Sequence, residues 1–294
     1  MQPLRRTVIW AAMPETEPGT GTETGTEHDL AGFVRRHDPD RFLCALFAPA
    51  DRRPALFALL AYNHELARAR EAASNPIAAL IRLQWWREVV ADVAEGRPAR
   101  RHEVAMPLHA AIVAGLLDPA DLSALADARE AETAEEGFPT RAAFATHLRG
   151  TAGGVAVAAG RLLGAAGEAL PVLQALGAAY GLAGVLRSVA AHAAQGRCLL
   201  PGDALAEAGL DGEKVIRAPD SAVPVVRRLA ETGVAELAAA HGAGAVPRMA
   251  VAAGLPGRLA ARDLRRLAAG RDVPAPRRLG DRLAVILAGL RGRA

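Results

Sequence analysis

The chain has 294 residues, 51% of them apolar and only 4% aromatic, with 35 basic and 32 acidic side chains for a net charge of +3. That length can bury a large core in one domain, and so small a net charge makes no demand for a nucleic-acid partner. Cys44 and Cys198 stand far apart in apolar settings, which is neither a disulfide framework nor a zinc pattern and fits a reducing, cytoplasmic compartment.

The first residues hold two arginines and an apolar run, Thr7 to Met13, too short for a good signal-peptide core. Met13 to His28 is rich in Thr, Gly, Glu and Pro without apolar periodicity. Residues 1–28 are therefore expected to form a disordered tail, with order from Asp29. A short helix over Leu30 to Arg36 is stopped by Asp38-Pro39, and Arg41 to Phe47 is helical in period. Pro49-Ala50-Asp51 starts a longer helix reaching Ala73, with Leu56, Leu59, Leu60, Asn63 and Leu66 or Ala67 on its buried face. Ser74-Asn75-Pro76 is a helix start. The helix after it is expected to turn Ile77, Leu80, Ile81, Gln84, Trp85, Glu88 and Val89 inward and to end at Gly96.

Met106 to Leu116 is the next helix. Asp118-Pro119 caps another that runs to about Glu136, where Glu130, Glu132, Glu135 and Glu136 form an acidic face read as solvated. Pro139-Thr140 opens a helix with GTAGG, Gly150 to Gly154, in its middle. Glycines there suit either two backbones in close approach or a ligand lying against the helix. Leu170 to Ala194 is a central helix containing an uncharged run of 18 residues between Glu168 and Arg187. That run touches the lower limit for a membrane span but is broken by Pro171, Gln174, Gly177, Gly181 and Gly184, so a buried core helix is expected. Pro201 to Leu210 reads as a loop. Ala222 to His241 and Arg248 to Ala269 are amphipathic helices, and Pro274-Ala275-Pro276 is a hinge. The last helix, Arg278 to Leu290, places Leu279, Leu283, Ile286, Leu287 and Leu290 on one side. With no strand pattern and no fixed repeat, the expectation is an all-α protein: a helical domain over residues 29–270, then a hinge and basic amphipathic helix over 271–294.

Three segments carry a resemblance. Arg53 to Arg68 reads RPALFALLAYNHELAR. Arg82 to Glu88 reads RLQWWRE, the most specific of the three. Leu186-Arg187 is followed by Gln195 to Pro201, QGRCLLP. Together with the GTAGG helix they resemble the squalene/phytoene synthase family. That resemblance implies a single-domain, isoprenoid-synthase-like helical bundle around a central cavity. In the family, two aspartate-rich helices at the cavity mouth hold Mg²⁺ on the diphosphates of two isoprenoid chains. Ionising an allylic diphosphate requires metal to neutralise the leaving group, and Mg²⁺ takes hard oxygen ligands.

This chain departs from the pattern at both mouths. Where the first motif carries its acids, it has Ala67, Arg68 and Glu71; where the second does, it has Gly184, Ser188 and His192. The resemblance is closer to a subgroup that has lost these acids, which includes a mitochondrial protein that assists assembly of respiratory complex I. A non-catalytic protein, a pseudoenzyme with no cofactor, is therefore expected. Its partner is a prenyl diphosphate, another anionic lipid or subunits of a respiratory complex. Arg68, Arg70, Arg187 and Arg197 are the expected anion ligands, because guanidinium pairs with phosphate in fork geometry. Tyr62, Gln84 and Trp85 are expected beside them. For the four arginines the alternative is pairing with acids such as Glu65 and Glu71. Were the protein an active prenyl-diphosphate condensing enzyme, its Mg²⁺ ligands would come from Glu71, Asp203, His192 and the acids at Glu130 to Glu136. The arginines of 277–293 suit peripheral contact with anionic lipid at the inner membrane, or the solvent face of a packing helix.

Overall fold

The structure is a computed structural model that describes residues 29–294 except 74, 135 and 136. The expected tail over 1–28, the Ser74 part of one helix start, and Glu135 and Glu136 lie outside the described residues.

Helix starts follow local chemistry. The side chain of Asp29 accepts from the Gly32 amide at 2.7 Å and opens α1 (Leu30–His37). Asp38, extended at φ −141°, ends α1 and caps α2 (Pro39–Ala45) by accepting from the Arg41 amide at 3.0 Å. Helix α3 (Arg53–Glu71) leads to α4 (Pro76–Ala94), capped by Asn75 at 2.9 Å from the Ala78 amide. Next come α5 (Ala105–Val113) and α6 (Pro119–Ala128), the latter capped by Asp118. Helix α6 stops at Ala128 and is followed by a 3₁₀ turn over Glu130–Glu132.

Thr140 caps α7 (Arg141–Leu148), which passes through one π-helical turn, Arg149–Gly153, into α8 (Gly154–Leu162). The glycines serve backbone approach. A Cβ on Gly177 would lie 2.5 Å from the Ala152 carbonyl oxygen, and one on Gly153 would lie 2.8 Å from that of Gln174.

The central helix α9 (Ala169–Arg187) is packed among α8, the π turn, α13 and α15, as a core helix should be. Among the described residues it is also the one helix long and apolar enough to cross a membrane. It ends at Arg187 instead of reaching Ala194, because Ser188 leaves helical geometry before α10 (Val189–Ala194). The Pro201–Leu210 loop contains α11 (Gly202–Ala206). Then follow α12 (Gly212–Arg217), α13 (Val223–Ala243), α14 (Val251–Gly254), α15 (Pro256–Ala268) and α16 (Leu279–Leu290). There is no strand among the described residues.

Two helices present a different face from the one their pattern suggested. On α4, Ile77 and Ile81 are 70% and 64% exposed, while Ala79, Leu83, Trp86, Val89 and Val90 fill the core. That helix is apolar on nearly every side, so its own sequence does not choose a face; packing on α3, α5 and α6 does. On α16 the leucine stripe faces outward, while Asp281 and Val285 are fully buried. The Asp281 carboxylate accepts from Arg262 Nε and from Arg266 Nη2, the latter at 2.7 Å. These α15 partners set the rotation of α16.

Candidate functional site

A cavity of about 680 Å³ opens among α1–α2, α3, the Arg129–Glu132 turn, α7–α8, α9 and residues 275–282. Two buried polar networks build its walls.

In the first, Arg129 Nη1 donates to the Glu132 carboxylate at 2.8 Å and Nη2 donates to Asn63 Oδ1 at 3.0 Å. His147 Nε2 meets the same carboxylate at 3.0 Å, and its Nδ1 faces the Ala128 carbonyl at 3.1 Å. Both ring nitrogens therefore face acceptors. Burial by itself pushes the Glu132 carboxyl up, but Arg129, His147 and Arg197 outweigh it and hold the group at about 2. The acidic face expected over Glu130 to Glu136 is thus split. Glu130 pairs with Arg87 near the surface, whereas Glu132 lies inside the cavity wall.

In the second network the fully buried Asp263 of α15 accepts from Arg187 Nη1 at 3.2 Å and from Arg277 Nη1. Arg277 also donates from Nε and Nη2 to Asp40, at 2.9 and 2.8 Å. Tyr180 lies between Arg41 and Arg187, whose guanidinium carbons are 4.8 and 5.8 Å from its ring centre. Its hydroxyl donates to Asp40 at 3.4 Å. Arg41 is also paired with Asp38 at 3.3 Å. The segment expected to be a hinge is thereby strapped across the cavity by Arg277.

The positions singled out from sequence separate in space. Ala67 and Gly184 line the cavity, and a Cβ on Gly184 would meet nothing within 4 Å. Ser188 stands at the break after α9, and Glu71 is exposed at the end of α3. Arg187 lines the cavity but is already paired. Arg197 donates to the Glu132 backbone carbonyl at 3.2 Å, and its guanidinium is destabilised by burial and by Arg70. Arg70 has a buried Nε with no partner, and its Nη1 reaches only the Ala73 carbonyl, at 3.5 Å. His192 has a buried, unpartnered Nδ1, and its pKa is lowered by burial and then by Arg197.

Four expectations need correction. Tyr62 does not face the cavity: it is fully buried and its hydroxyl donates to the Leu122 carbonyl at 2.9 Å. Gln84 is exposed and reaches Glu88 at 3.4 Å. Arg68 and Trp85 share a separate surface pocket of about 390 Å³, on the side of α3 facing α4. Asp203 is a structural cap, accepting from the Arg141 amide at 3.0 Å at the start of α7.

His64 does line the cavity. Its Nε2 is buried without a partner, and its ring lies 4.5 Å from that of His37. Burial, then His37 and Arg68, pull its pKa down to about 4, so the ring is neutral at pH 7. Behind the cavity, a pocket walled by Leu56, Leu60, Val155 and Ala159 has room for only about 20 Å³, the space of one water.

The carboxylates at hand do not fit a Mg²⁺ site. Asp38, Asp40, Glu132 and Asp263 each hold one or more guanidinium groups, and a metal would have to strip those pairs away. Among the described residues no group of three or more His, Cys, Asp or Glu is placed to hold a metal ion.

The sequence profile of the squalene/phytoene synthase family matches residues 34–284. The chain belongs to that family. Among curated proteins it is similar to "NADH dehydrogenase (ubiquinone) complex I, assembly factor 6" of Homo sapiens, at 27% identity over 194 residues, 66% of this chain and 58% of the relative. The Bos taurus protein of the same name is 27% identical over 195 residues, again covering 66% and 58%. The chain therefore spans less than two thirds of the length of these relatives. Among solved structures it is similar to a dehydrosqualene synthase in complex with ligand, with a TM-score of 0.71 at 14% identity over 89% of this chain and 94% of that one. It is also similar to squalene synthase HpnC from Alicyclobacillus acidocaldarius, with a TM-score of 0.61 at 19% identity over 90% and 92%. At these identities the two structures establish the fold, an isoprenoid-synthase helical bundle.

Family membership locates the cavity but not its present wiring. No local pattern marks Asp263, and Arg277, expected with the other arginines of 277–293 to face anionic lipid, is instead buried between Asp40 and Asp263. Only the three-residue spacing of Arg129 and Glu132 on one turn signals a local pair.

Proposed function

We propose that this protein is a non-catalytic member of the squalene/phytoene synthase family that acts in the assembly of a complex I-type NADH dehydrogenase. One observation carries the reading: the cavity acids are already bound to arginines, so the carboxylate pairs that metal-dependent ionisation needs are committed elsewhere. The name of the curated relatives supports the assembly role. The test is deletion of the gene in its source organism. Rotenone-sensitive NADH oxidation by membranes is expected to fall severalfold and to return with the wild-type gene. Unchanged activity overturns the assembly role. In parallel, purified protein with farnesyl or geranylgeranyl diphosphate, Mg²⁺ and NADPH is expected to yield no C30 or C40 hydrocarbon and no pyrophosphate. Product at a useful rate replaces this reading with that of an active condensing enzyme.

A ligand belongs to the same proposal. Arg70, Arg197 and His192 lie within reach of one another's charge at the edge of the Glu132 network, and two of the three have buried nitrogens without partners. Donors short of acceptors suit a phosphate or diphosphate headgroup. Calorimetry with inorganic pyrophosphate is expected to give binding that Arg197→Ala weakens about tenfold, the loss of one charge-assisted contact. Equal binding by both proteins removes this site from the proposal.

A further inference from the structure

A second concave surface lies on the far side of α16. Helices α13, α15 and α16 enclose a groove of about 610 Å³ whose wall carries Arg258, Arg262, Arg265, Arg291 and Arg293 and no carboxylate. Arg262 is spent on the buried Asp281. Arg265, Arg291 and Arg293 have no Asp or Glu partner among the described residues. Arg258 is the most confined: Nη2 donates to the Ala294 carbonyl at 3.0 Å, while Nε is buried with no acceptor. Burial, Arg265 and Arg293 all weigh against its charge. Clustered guanidiniums without acids are costly unless an anion joins them.

Beside this groove runs the leucine stripe of α16. Leu279, Leu283, Leu287 and Leu290 are 71%, 45%, 47% and 65% exposed, and their spacing places them on one helix face. Leu287 belongs both to the stripe and to the groove wall. Exposed leucines in register next to unpaired arginines form the profile of a helix lying in a bilayer interface.

We propose that this face docks the protein on an anionic membrane, with phospholipid phosphates in the arginine groove and the leucines of α16 in the acyl boundary. The pairing of features selects the occupant. A nucleic acid or a soluble acidic protein would satisfy the arginines and leave the leucines in water. An apolar protein partner would cover the leucines and desolvate the unpaired Arg265, Arg291 and Arg293. An anionic bilayer presents phosphate and hydrocarbon side by side at one interface. The inference is independent of what the central cavity binds, since the groove lies on different residues of α15 and α16.

The experiment is vesicle co-sedimentation of the full chain with pure phosphatidylcholine and with phosphatidylcholine containing one-third phosphatidylglycerol. Binding is expected to the anionic vesicles alone at low salt. The triple variant Arg265→Glu, Arg291→Glu, Arg293→Glu is expected to bind at least a hundredfold more weakly, since each arginine near a charged surface contributes roughly fivefold. The double variant Leu283→Ser, Leu287→Ser keeps the salt-sensitive part of binding and loses the part that persists in molar salt. All these side chains are exposed or at the groove rim, so thermal unfolding of the variants is expected to match wild type. Should the triple variant fail to fold, Arg265→Glu alone still predicts a loss of fivefold or more. Equal affinity for neutral and anionic vesicles, unchanged binding after charge reversal, or binding to an oligonucleotide or an acidic protein without vesicle binding would each overturn the proposal.

Discussion

Two arginine-rich regions of this molecule put the same side chain to opposite uses. In the central cavity Arg41, Arg129, Arg187 and Arg277 each sit against a carboxylate, and the pairs knit together α1, α2, α9, α15 and the C-terminal segment. In the groove beneath α16, Arg265, Arg291 and Arg293 are exposed with no Asp or Glu partner among the described residues. Counting arginines would rank both as anion sites. Their partners show the cavity walls to be largely structural, and the groove to be the surface with charge to spare. Arg35 and Arg282 line the cavity without a salt-bridge partner among the described residues, and the unpartnered nitrogens of Arg70 and His192, beside the Glu132 network, are what the pyrophosphate experiment addresses.

The contrast predicts that cavity substitutions cost stability and groove substitutions do not. The largest effect is expected at Asp263. Replacing this buried acid with alanine strands Arg187 and takes from Arg277 one of its two carboxylates, and should cost ~3–5 kcal/mol in urea unfolding. A loss below one kcal/mol would show that water satisfies those arginines. Next comes Glu132. Its folded carboxyl is held at about 2 against an ordinary 4.5, so its contribution is present in full above pH 4.5 and lost as pH falls towards 2. That amounts to about 3 kcal/mol, and Glu132→Gln should abolish this part of the acid slope.

His64 acts in a higher window. Its folded pKa of about 4 lies below the ordinary 6.5, so the unfolded chain takes up the proton first and stability falls as pH drops from 6.5 to 4. His64→Phe should flatten that upper slope and leave the Glu132 slope intact, which melting curves at stepped pH would resolve. A smaller cost, ~1–3 kcal/mol, is expected for Gly177→Ala, whose new methyl meets the Ala152 carbonyl oxygen at 2.5 Å. The smallest is Arg265→Glu in the groove, expected within ~0.5 kcal/mol of wild type in the same assay. A large destabilisation there would erase the distinction between the two regions.

Much of the fold was legible because its signals are local. Asn75-Pro76, Asp118-Pro119 and Thr140 each announce a helix start within three residues, and each does so in the structure, while Asp38-Pro39, read as a stop, both ends α1 and caps α2. The candidate site was legible only in part. Ala67, Gly184 and Arg187 fall on the cavity as their place in the motifs implied, because the family frame carries those helices to the mouth. Tyr62, Gln84 and Arg68 point elsewhere, since a helix has a full turn of directions and motif alignment specifies position along the axis but not what lies opposite. Glu132 was read as a solvated acid because the 3₁₀ turn that brings it inward follows no recognisable stop signal.

The sequence by itself determined that the chain is helical, where most helices begin and which family frame it carries. These are properties of neighbouring residues, and neighbours are what a sequence displays. Tertiary structure decided which arginines are spent and which remain free. Arg277 meets Asp40 across 237 positions of chain, and Arg187 meets Asp263 across 76. It also set which face of α16 turns inward, where the Asp281 carboxylate meets Arg262 and Arg266 while the leucines face out. Charge pairing over such distances is a property of the folded surface, and only the fold could reveal it.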